Sequence, residues 1–245
     1  MVFKMPSHYL PPNTRIYCIG DIHGRVDLLS DILNQIDQYQ QYYIGRSIII
    51  YLGDYIDRGA YSKQIIDLIL NHQGNNIETV YLRGNHEQIF LNFIEDKEFT
   101  GIAKAWFSLG GKQTLESYGV TGNSDTVEQI TYLRQKFLKQ LPPEHYIFFA
   151  QTRFSYALGS YFFAHAGINP KYSLDQQSAK DLLWIREKFT ESKQQFEKII
   201  VHGHTKTASV ALLPNRIGID TGAYQSNVLT CLVLQEDKYK LIQTR

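Results

Sequence analysis

Cysteine and long apolar runs are both scarce in this sequence, and their scarcity excludes several classes of protein. Only two cysteines, Cys18 and Cys231, occur in 245 residues. Both lie in apolar stretches, and neither has the Cys-x-x-Cys spacing of a thiolate metal site. A disulfide framework is therefore excluded, and two buried thiols in a reducing compartment are predicted. The longest apolar run, residues 48–52, is too short for a bilayer, which needs roughly 20 apolar residues.

An excess of charge of one sign is also absent. The formal net charge is +1 at pH 7, which provides neither a basic field for nucleic acid nor an acidic tail. Neither nucleic acid nor a membrane is therefore expected as a partner, and any anion must be bound by a local site. The N-terminal stretch 1–14 has one lysine and no apolar core, which predicts no signal peptide and a cytoplasmic location. A single domain over residues 1–245 is predicted, because this length can fold around one core.

The order of apolar patterns predicts an α/β fold. Continuous apolar runs at 15–20, 47–53 and 79–83 predict buried strands, and each is followed by apolar residues at helical spacing. This alternation favours a parallel sheet with right-handed crossovers. Residues 99–141 are more polar and predict a helical insertion beside the sheet. Mostly strands are predicted after it, the first of them at 146–150.

Five of the predicted strands end in short polar clusters that contain glycine. The clusters are GDIHG (20–24), GDYIDRG (53–59), GNHE (84–87), HAG (165–167) and GHT (203–205). Loops at the carboxyl ends of parallel strands converge on one crevice in an open α/β sheet. The five clusters are therefore expected to meet in one site.

The side chains in these clusters are typical of a binuclear metal site that binds phosphate. Six of them offer carboxylate, amide or imidazole donors: Asp21, His23, Asp54, Asn85, His165 and His204. This mixture suits first-row divalent ions and does not suit an all-oxygen calcium site. Two divalent ions would outweigh the charge of two aspartates and a hydroxide, which leaves a positive site for phosphate. Arg58 would add a planar fork of donors that suits phosphate oxygens.

These clusters closely resemble the motifs of the phosphoprotein phosphatase family, within the metallophosphoesterase superfamily. The resemblance runs from about residue 16 to about residue 234 and is closest to the short bacterial and phage serine/threonine phosphatases. The segments LWIR (183–186) and GIDTG (218–222) support it. The resemblance implies an α/β fold in which a two-sheet β sandwich is flanked by helices, here with a helical insertion at about 99–141.

The resemblance also implies a role for each motif residue. One ion would be held by Asp21, His23 and Asp54, and the second by Asp54, Asn85, His165 and His204, with Mn²⁺ favoured over Fe²⁺ or Zn²⁺. His86, paired with Asp57, would be the general acid, and Arg58 and Arg186 would bind the phosphate. A hydroxide between the two ions would attack phosphorus in line. Asp57 could instead cap the helix after Arg58-Gly59, but its place between a predicted ligand and a predicted phosphate-binding arginine favours the catalytic role.

The activity implied is hydrolysis of phosphoserine or phosphothreonine in a protein or peptide, with small aryl phosphates hydrolysed in vitro. The alternative is a symmetrical diadenosine tetraphosphatase, since that class resembles this chain in the same metal motifs. The triplet Asp57-Arg58-Gly59 favours the protein phosphatase. A non-enzymatic scaffold is disfavoured, because a scaffold does not need Asn85, His86, Asp57 and Arg58 together. His202 is left with two interpretations, an outer partner of a metal ligand or a packed core residue.

Overall fold

Two mixed β-sheets form the centre of the structure, a computed structural model that describes residues 3–4, 9–72 and 77–244. The first sheet contains β1 (Phe3–Lys4), β2 (Thr14–Ile19), β3 (Arg46–Tyr51), β4 (Ile77–Tyr81), β10 (Thr230–Gln235) and β11 (Lys238–Gln243). Its strand order is β1-β11-β10-β2-β3-β4. Strands β2, β3 and β4 are parallel, as the first ninety residues predict, whereas β10 pairs with β2 in the antiparallel direction.

The second sheet is formed by the C-terminal half of the chain. Its strands are β5 (Ser155–Leu158), β6 (Tyr161–Ala164), β7 (Ile199–His202), β8 (Ala211–Leu212) and β9 (Arg216–Gly218). They follow the order β5-β6-β7-β9-β8, in which β6, β7 and β9 are parallel. Each sheet therefore contains three neighbouring parallel strands, and their carboxyl ends can contribute loops to one site.

The two sheets pack face to face. Ile48 and Ile50 of β3 lie in one buried cluster with Phe163 of the second sheet, whereas Ile49 and Tyr51 lie in another cluster with the helices. Successive side chains of a strand point to opposite faces of a sheet, so β3 is buried on both sides. The predicted strand covered on both faces and the predicted two-sheet sandwich are confirmed.

Helices flank the sandwich. They are α1 (Val26–Gln40), α2 (Ser62–Asn71), α3 (Asn85–Glu95), α4 (Phe99–Ser108), α5 (Gly111–Ser117), α6 (Val127–Gln140), α7 (Pro143–Gln151), α8 (Ala179–Trp184), α9 (Glu187–Thr190) and α10 (Ala223–Ser226), with a short 3₁₀ turn at Leu174–Gln176. The predicted strand at 146–150 is wrong, because these residues belong to α7. A short apolar run fits a buried helix as well as a strand, and Pro143 at the first helical position favours the helix. The helical insertion therefore extends beyond residue 141, to Gln151.

An aromatic cluster attaches the insertion to α3. The ring of Phe93 lies 4.8 Å from Trp106 of α4, and the ring of Phe90 lies 5.7 Å from Phe137 of α6 and 4.7 Å from Phe149 of α7. Such pairs contribute about 0.5–1.5 kcal/mol each beyond the area they bury. The insertion is thus fixed beside the helix that begins at Asn85.

Three predictions about the whole chain have different outcomes. In the parts of the chain that the structure describes, no helix is both long and apolar enough to cross a membrane. The single domain over 1–245 stays a prediction. The prediction of no signal peptide concerns residues 1–14, of which 1–2 and 5–8 lie outside the described residues.

Candidate metal and phosphate site

The predicted ligands meet at the carboxyl ends of the parallel strands. Asp21, Asp54 and Asn85 follow β2, β3 and β4 of the first sheet, and His165 and His204 follow β6 and β7 of the second. A cavity of about 180 Å³ opens where these loops meet. Its lining includes Asp21, His23, Asp54, Asn85 and His204. The fully buried His165 lies just beneath them, so the convergence predicted from the sequence is confirmed.

Asp54 lies at the centre of the site. Its Oδ2 is 3.5 Å from Nε2 of His23, and its Oδ1 is 3.5 Å from Nε2 of His165. Burial alone would raise the pKa of Asp54, but the surrounding histidines, His165 first, reverse that effect and lower it. Each oxygen of Asp54 therefore faces a different histidine.

Backbone carbonyls fix the ring orientations of two histidines. Nδ1 of His23 lies 2.9 Å from the carbonyl of Ile56, and Nδ1 of His165 lies 2.9 Å from the carbonyl of Leu52. Because a carbonyl only accepts, each Nδ1 carries the proton and each Nε2 presents a lone pair to the site. This outer hydrogen bond is the arrangement that orients metal-ligating histidines in proteins.

The lone pairs face other acceptors, which is the arrangement that a cation would stabilise. Nε2 of His165 lies 2.9 Å from Oδ1 of Asn85 and 3.5 Å from Oδ1 of Asp54. Burial lowers the pKa of His165, and it lowers the pKa of His23 to about 3 and that of His204 to about 2. Neutral imidazoles cannot donate from Nε2 to the carboxylate while Nδ1 holds the proton. Without a cation these acceptors face one another with no proton between them, so their arrangement suits a bound metal ion.

Two groups of ligand atoms could each hold an ion, and Asp54 belongs to both. The groups are His23, Asp54 and His86, and Asp54, His165 and His204, with all ligand atoms of a group within 4.8 Å of one another. Imidazole nitrogen with carboxylate oxygen suits first-row divalent ions. A shared carboxylate is the geometry expected of a bridging ligand.

Asp21 lies in the cavity wall but outside both groups. Its carboxylate accepts the backbone N–H of His204 at 3.0 and 3.2 Å. Burial, followed by Asp220 and Asp54, raises the pKa of Asp21 well above its usual range. A nearby cation would reverse that rise by stabilising the charged form. Asp220, to which the sequence analysis gave no role, thus adds negative charge to this wall.

The backbone is strained at many of these positions. Eight non-glycine residues have positive φ among the residues that the structure describes, and five of them belong to the site. Those five are His23, Asp54, Asp57, Arg58 and His204. Each such residue costs on the order of 1–3 kcal/mol and persists only where surrounding contacts enforce it.

Glu87 supplies those contacts for the loop around Asp54. Its carboxylate accepts the backbone N–H groups of Asp54 at 2.8 Å, Tyr55 at 2.9 Å, Ile56 at 3.4 Å and Gly84 at 2.9 Å. Burial and the charge of Asp54 raise the pKa of Glu87, while the N–H donors oppose that rise. Glu87 was not among the predicted site residues, and its only signal in the sequence was its place in GNHE.

Two glycines allow the loops to approach the carboxylates. A Cβ at Gly84 would clash with Oδ1 of Asp54, and a Cβ at Gly203 would clash with Oδ1 of Asp21. A side chain at either position would displace a carboxylate of the site. The glycine in each motif is therefore explained by close approach.

His86 forms a buried pair with Asp57. Nδ1 of His86 lies 2.6 Å from Oδ2 of Asp57, and Nε2 lies 3.8 Å from Oδ2 of Asp54. Burial lowers the pKa of His86, but Asp54 and Asp57 together outweigh it and raise the pKa to about 9. His86 can therefore hold a proton at the edge of the cavity. The observed role of the Asp57 side chain is therefore a hydrogen bond to His86 and not the capping of a helix.

Positive side chains complete the cavity wall. Arg58, Arg186 and Lys206 all line it. The guanidinium of Arg58 lies 4.6 Å from the ring centre of Tyr224 and 3.3 Å from Nε2 of His86. Both predicted arginines thus reach the cavity that the predicted metal ligands line. Lys206 and Tyr224 were missed, because neither falls in a motif that the sequence analysis assigned.

His202 makes no side-chain hydrogen bond to a predicted ligand side chain in the described part of the chain. Its ring packs edge-on against Phe189 at 5.0 Å, and its Nδ1 lies 3.0 Å from the carbonyl of Gly203. Its Nε2 has no hydrogen-bond partner among the described residues. These contacts favour the interpretation of His202 as a packed core residue.

Comparison with known proteins gives consistent likenesses over nearly the whole chain. The profile of the family described as calcineurin-like phosphoesterase matches residues 14–241. Serine/threonine-protein phosphatase 2 of Escherichia coli strain K12 is 27% identical over 235 residues, which cover 93% of this chain and 94% of that protein. An asymmetrical bis(5'-nucleosyl)-tetraphosphatase of Halalkalibacterium halodurans is 22% identical over 247 residues, 93% of each chain.

A solved structure shares the fold. The crystal structure of a putative diadenosine tetraphosphatase superposes with a TM-score of 0.62 and covers 97% of this chain and 99% of its own. At 17% identity, that likeness concerns the fold alone. It confirms the α/β architecture predicted from the sequence.

Proposed function

The chain belongs to the calcineurin-like phosphoesterase family, and from that premise we propose that it hydrolyses phosphoserine and phosphothreonine in proteins. It is a metallophosphoesterase by family. The finer proposal is carried by the His86–Asp57 pair at the edge of the cavity. A serine or threonine alkoxide is a poor leaving group that needs a proton from a positioned acid. A nucleotide phosphate released from an anhydride leaves with much less help.

Each candidate residue has a role in this proposal. Two divalent ions, Mn²⁺ first, would be held by His23, Asp54, Asn85, His165 and His204, with Asp21 beside them. Bound there, such ions would supply a nucleophile at neutral pH and stabilise charge on the phosphoryl oxygens. Asp54 faces both halves of the ligand set, one with each of its two oxygens.

The residues around the ions bind and protonate the substrate. Arg58 and Arg186 line the same cavity and would hold the phosphoryl oxygens in bidentate fashion. His86 donates its proton from Nε2 to the departing oxygen, and Asp57 keeps the ring oriented from Nδ1. A phosphoprotein or phosphopeptide is the proposed partner, and small aryl phosphates would be hydrolysed in vitro.

A second candidate function is hydrolysis of dinucleoside polyphosphates. Proteins with that printed activity match 93% and 97% of this chain. The side chain of Trp184 also lines the cavity and is 39% exposed, which offers an adenine base a surface for stacking.

A substrate panel separates the two functions. The Mn²⁺-loaded protein would be assayed on a phosphoserine peptide, a phosphotyrosine peptide, p-nitrophenyl phosphate and diadenosine tetraphosphate. We expect the highest kcat/KM on the phosphoserine peptide. Turnover of diadenosine tetraphosphate alone would replace the proposal by the second candidate.

The role of His86 is tested by leaving-group dependence. His86→Ala should lower kcat/KM on the phosphoserine peptide by about 10²–10⁴-fold, the usual contribution of a general acid. The loss on p-nitrophenyl phosphate should be much smaller. His72→Ala is the matched control, because His72 contacts Asp37 outside the cavity. Equal losses on both substrates would remove His86 from the acid role.

A further inference from the structure

The helical insertion contacts the buried carboxylate of Asp57 directly. Nε1 of Trp106, in α4, donates to Oδ2 of Asp57 at 2.9 Å and to Oδ1 at 3.1 Å. Oγ1 of Thr114, in α5, donates to Oδ1 at 2.6 Å. Asp57, Trp106 and Thr114 are all fully buried. With Nδ1 of His86, the carboxylate therefore has three protein donors and no water-facing edge.

The hydroxyl of Thr114 also fixes the backbone of Asp57. The N–H of Asp57 donates to Oγ1 of Thr114 at 2.9 Å and to Oγ of Ser62 at 3.0 Å. Since Thr114 has given its one proton to the carboxylate, Ser62 must donate to Thr114 across their 3.0 Å contact. Thr114 thus binds both the side chain and the backbone of Asp57, a residue held at φ 72.

A pair of glycines lets the insertion come this close. Gly110 has φ 107, its carbonyl accepts the N–H of Arg58 at 3.3 Å, and a Cβ there would press on the Arg58 backbone. A Cβ at the next residue, Gly111, would clash with the indole of Trp106. The break between α4 and α5 therefore lies directly on the loop that carries Asp57 and Arg58.

We propose that Trp106 and Thr114 are positioning residues that act on the reaction through Asp57 and His86. Two donors from the insertion fix the rotation of the Asp57 carboxylate, so that one oxygen stays 2.6 Å from Nδ1 of His86. That contact aims Nε2 of His86 at the leaving-group oxygen. This inference rests on the proposed function and gives the insertion a part in the chemistry.

Two conservative variants test the proposal. Trp106→Phe removes the indole N–H and keeps a ring, and Thr114→Val keeps the shape and removes the hydroxyl. Each variant removes one donor to the Asp57 carboxylate. Because hydrogen bonds to charged groups are strong, each variant should lose roughly tenfold or more in kcat/KM on the phosphoserine peptide. The loss on p-nitrophenyl phosphate should stay below about threefold, because that leaving group needs little protonation. Bound metal should be unchanged.

A double-mutant cycle shows whether the effect passes through His86. In a His86→Ala background, Trp106→Phe should cause no further loss on the phosphoserine peptide. Phe93→Leu is the matched packing control, since its ring lies against Trp106 at 4.8 Å and Phe93 is fully buried in the same cluster. This control should lower the melting temperature without a loss that depends on the leaving group. Equal losses on both substrates, or a full additional loss in the His86→Ala background, would overturn the proposal.

A spectroscopic measurement separates this inference from the proposed function. The Nδ1–H proton of His86, bonded to Asp57, should give an imidazole NMR signal that weakens or shifts in both Trp106→Phe and Thr114→Val and persists in Phe93→Leu. An unchanged signal in both variants would overturn the positioning role, whatever the substrate. If the wild-type protein fails to hydrolyse any phosphomonoester, the proposed function falls, and this signal alone then decides the inference.

Discussion

Replacing Glu87 by glutamine tests whether this buried carboxylate holds the loop around Asp54 in place. Oε2 of Glu87 accepts the N–H groups of Asp54 and Gly84, and Oε1 accepts those of Tyr55 and Ile56. A glutamine of the same shape has one acceptor and one donor group. Whichever way its amide turns, two backbone N–H groups face an NH₂ group instead of an oxygen.

The expected loss of stability follows from these contacts. A buried N–H group left without an acceptor costs about 1–3 kcal/mol, so leaving two of them unsatisfied should cost about 2–6 kcal/mol. A typical free energy of unfolding is about 5–15 kcal/mol, so the variant should still fold. The NH₂ group of the glutamine would take the place of Oε1, which makes the longer pair of contacts. These are 2.9 Å to the N–H of Tyr55 and 3.4 Å to the N–H of Ile56. The strained loop around Asp54 would then be held by fewer hydrogen bonds, and metal affinity should fall as well.

Urea unfolding and calorimetric titration with Mn²⁺ would measure the two effects. Glu78→Gln is the matched control, because Glu78 is 55% exposed and pairs with Arg46 at 2.8 Å on the surface. Such pairs contribute less than about 1 kcal/mol. If Glu87→Gln unfolds within about 0.5 kcal/mol of the wild type, within the range of ordinary surface substitutions, the argument fails. Unchanged Mn²⁺ affinity would refute its second half.

Three further predictions concern other parts of the chain. Asp54→Asn should abolish turnover and weaken both proposed metal sites by roughly 100-fold or more, since even outer partners of ligands cost 10–100-fold; a full metal content by elemental analysis would count against the shared carboxylate. Arg186→Lys should raise the inhibition constant of inorganic phosphate about tenfold by losing bidentate binding, and an unchanged constant would exclude that contact. Burial lowers the pKa of His145, so the unfolded chain binds its proton more readily. The stability that the neutral His145 contributes to the folded protein is then fully present above about pH 6.5 and is lost as pH falls below that value. His145→Asn should reduce the difference in melting temperature between pH 7 and pH 5, and the same slope in both proteins would contradict this.

The motif residues were predictable because each follows a strand at its carboxyl end. Glycine-flanked polar residues after an apolar run indicate both the strand and the loop, and parallel topology then brings Asp54 and His165 together although 111 positions separate their numbers. Glu87 was not predictable from this pattern, because its function is to accept backbone N–H groups that only the folded loop presents. An acceptor of that kind has no sequence signal beyond its neighbours.

The contacts of the insertion were beyond the sequence for another reason. Trp106 lies 49 residues and Thr114 lies 57 residues from Asp57 along the chain, and an amphipathic helix does not reveal what its buried polar atoms meet. The run 146–150 failed differently. Its apolar residues satisfy either a strand or a helix, and the signal for the helix was Pro143 at the first helical position.

The contiguous placement of the insertion at residues 99–151 has a consequence for engineering. A segment with defined ends beside a cleft is a natural choice for exchange between relatives when a new substrate preference is wanted. Here such a graft would also remove the two donors that hold Asp57. A chimera without equivalents of Trp106 and Thr114 should therefore lose turnover of phosphoserine peptides, whose leaving group needs a proton. This loss would hide any change in substrate preference. We therefore expect that such a design must first place a tryptophan and a threonine at the positions of Trp106 and Thr114 in the grafted segment.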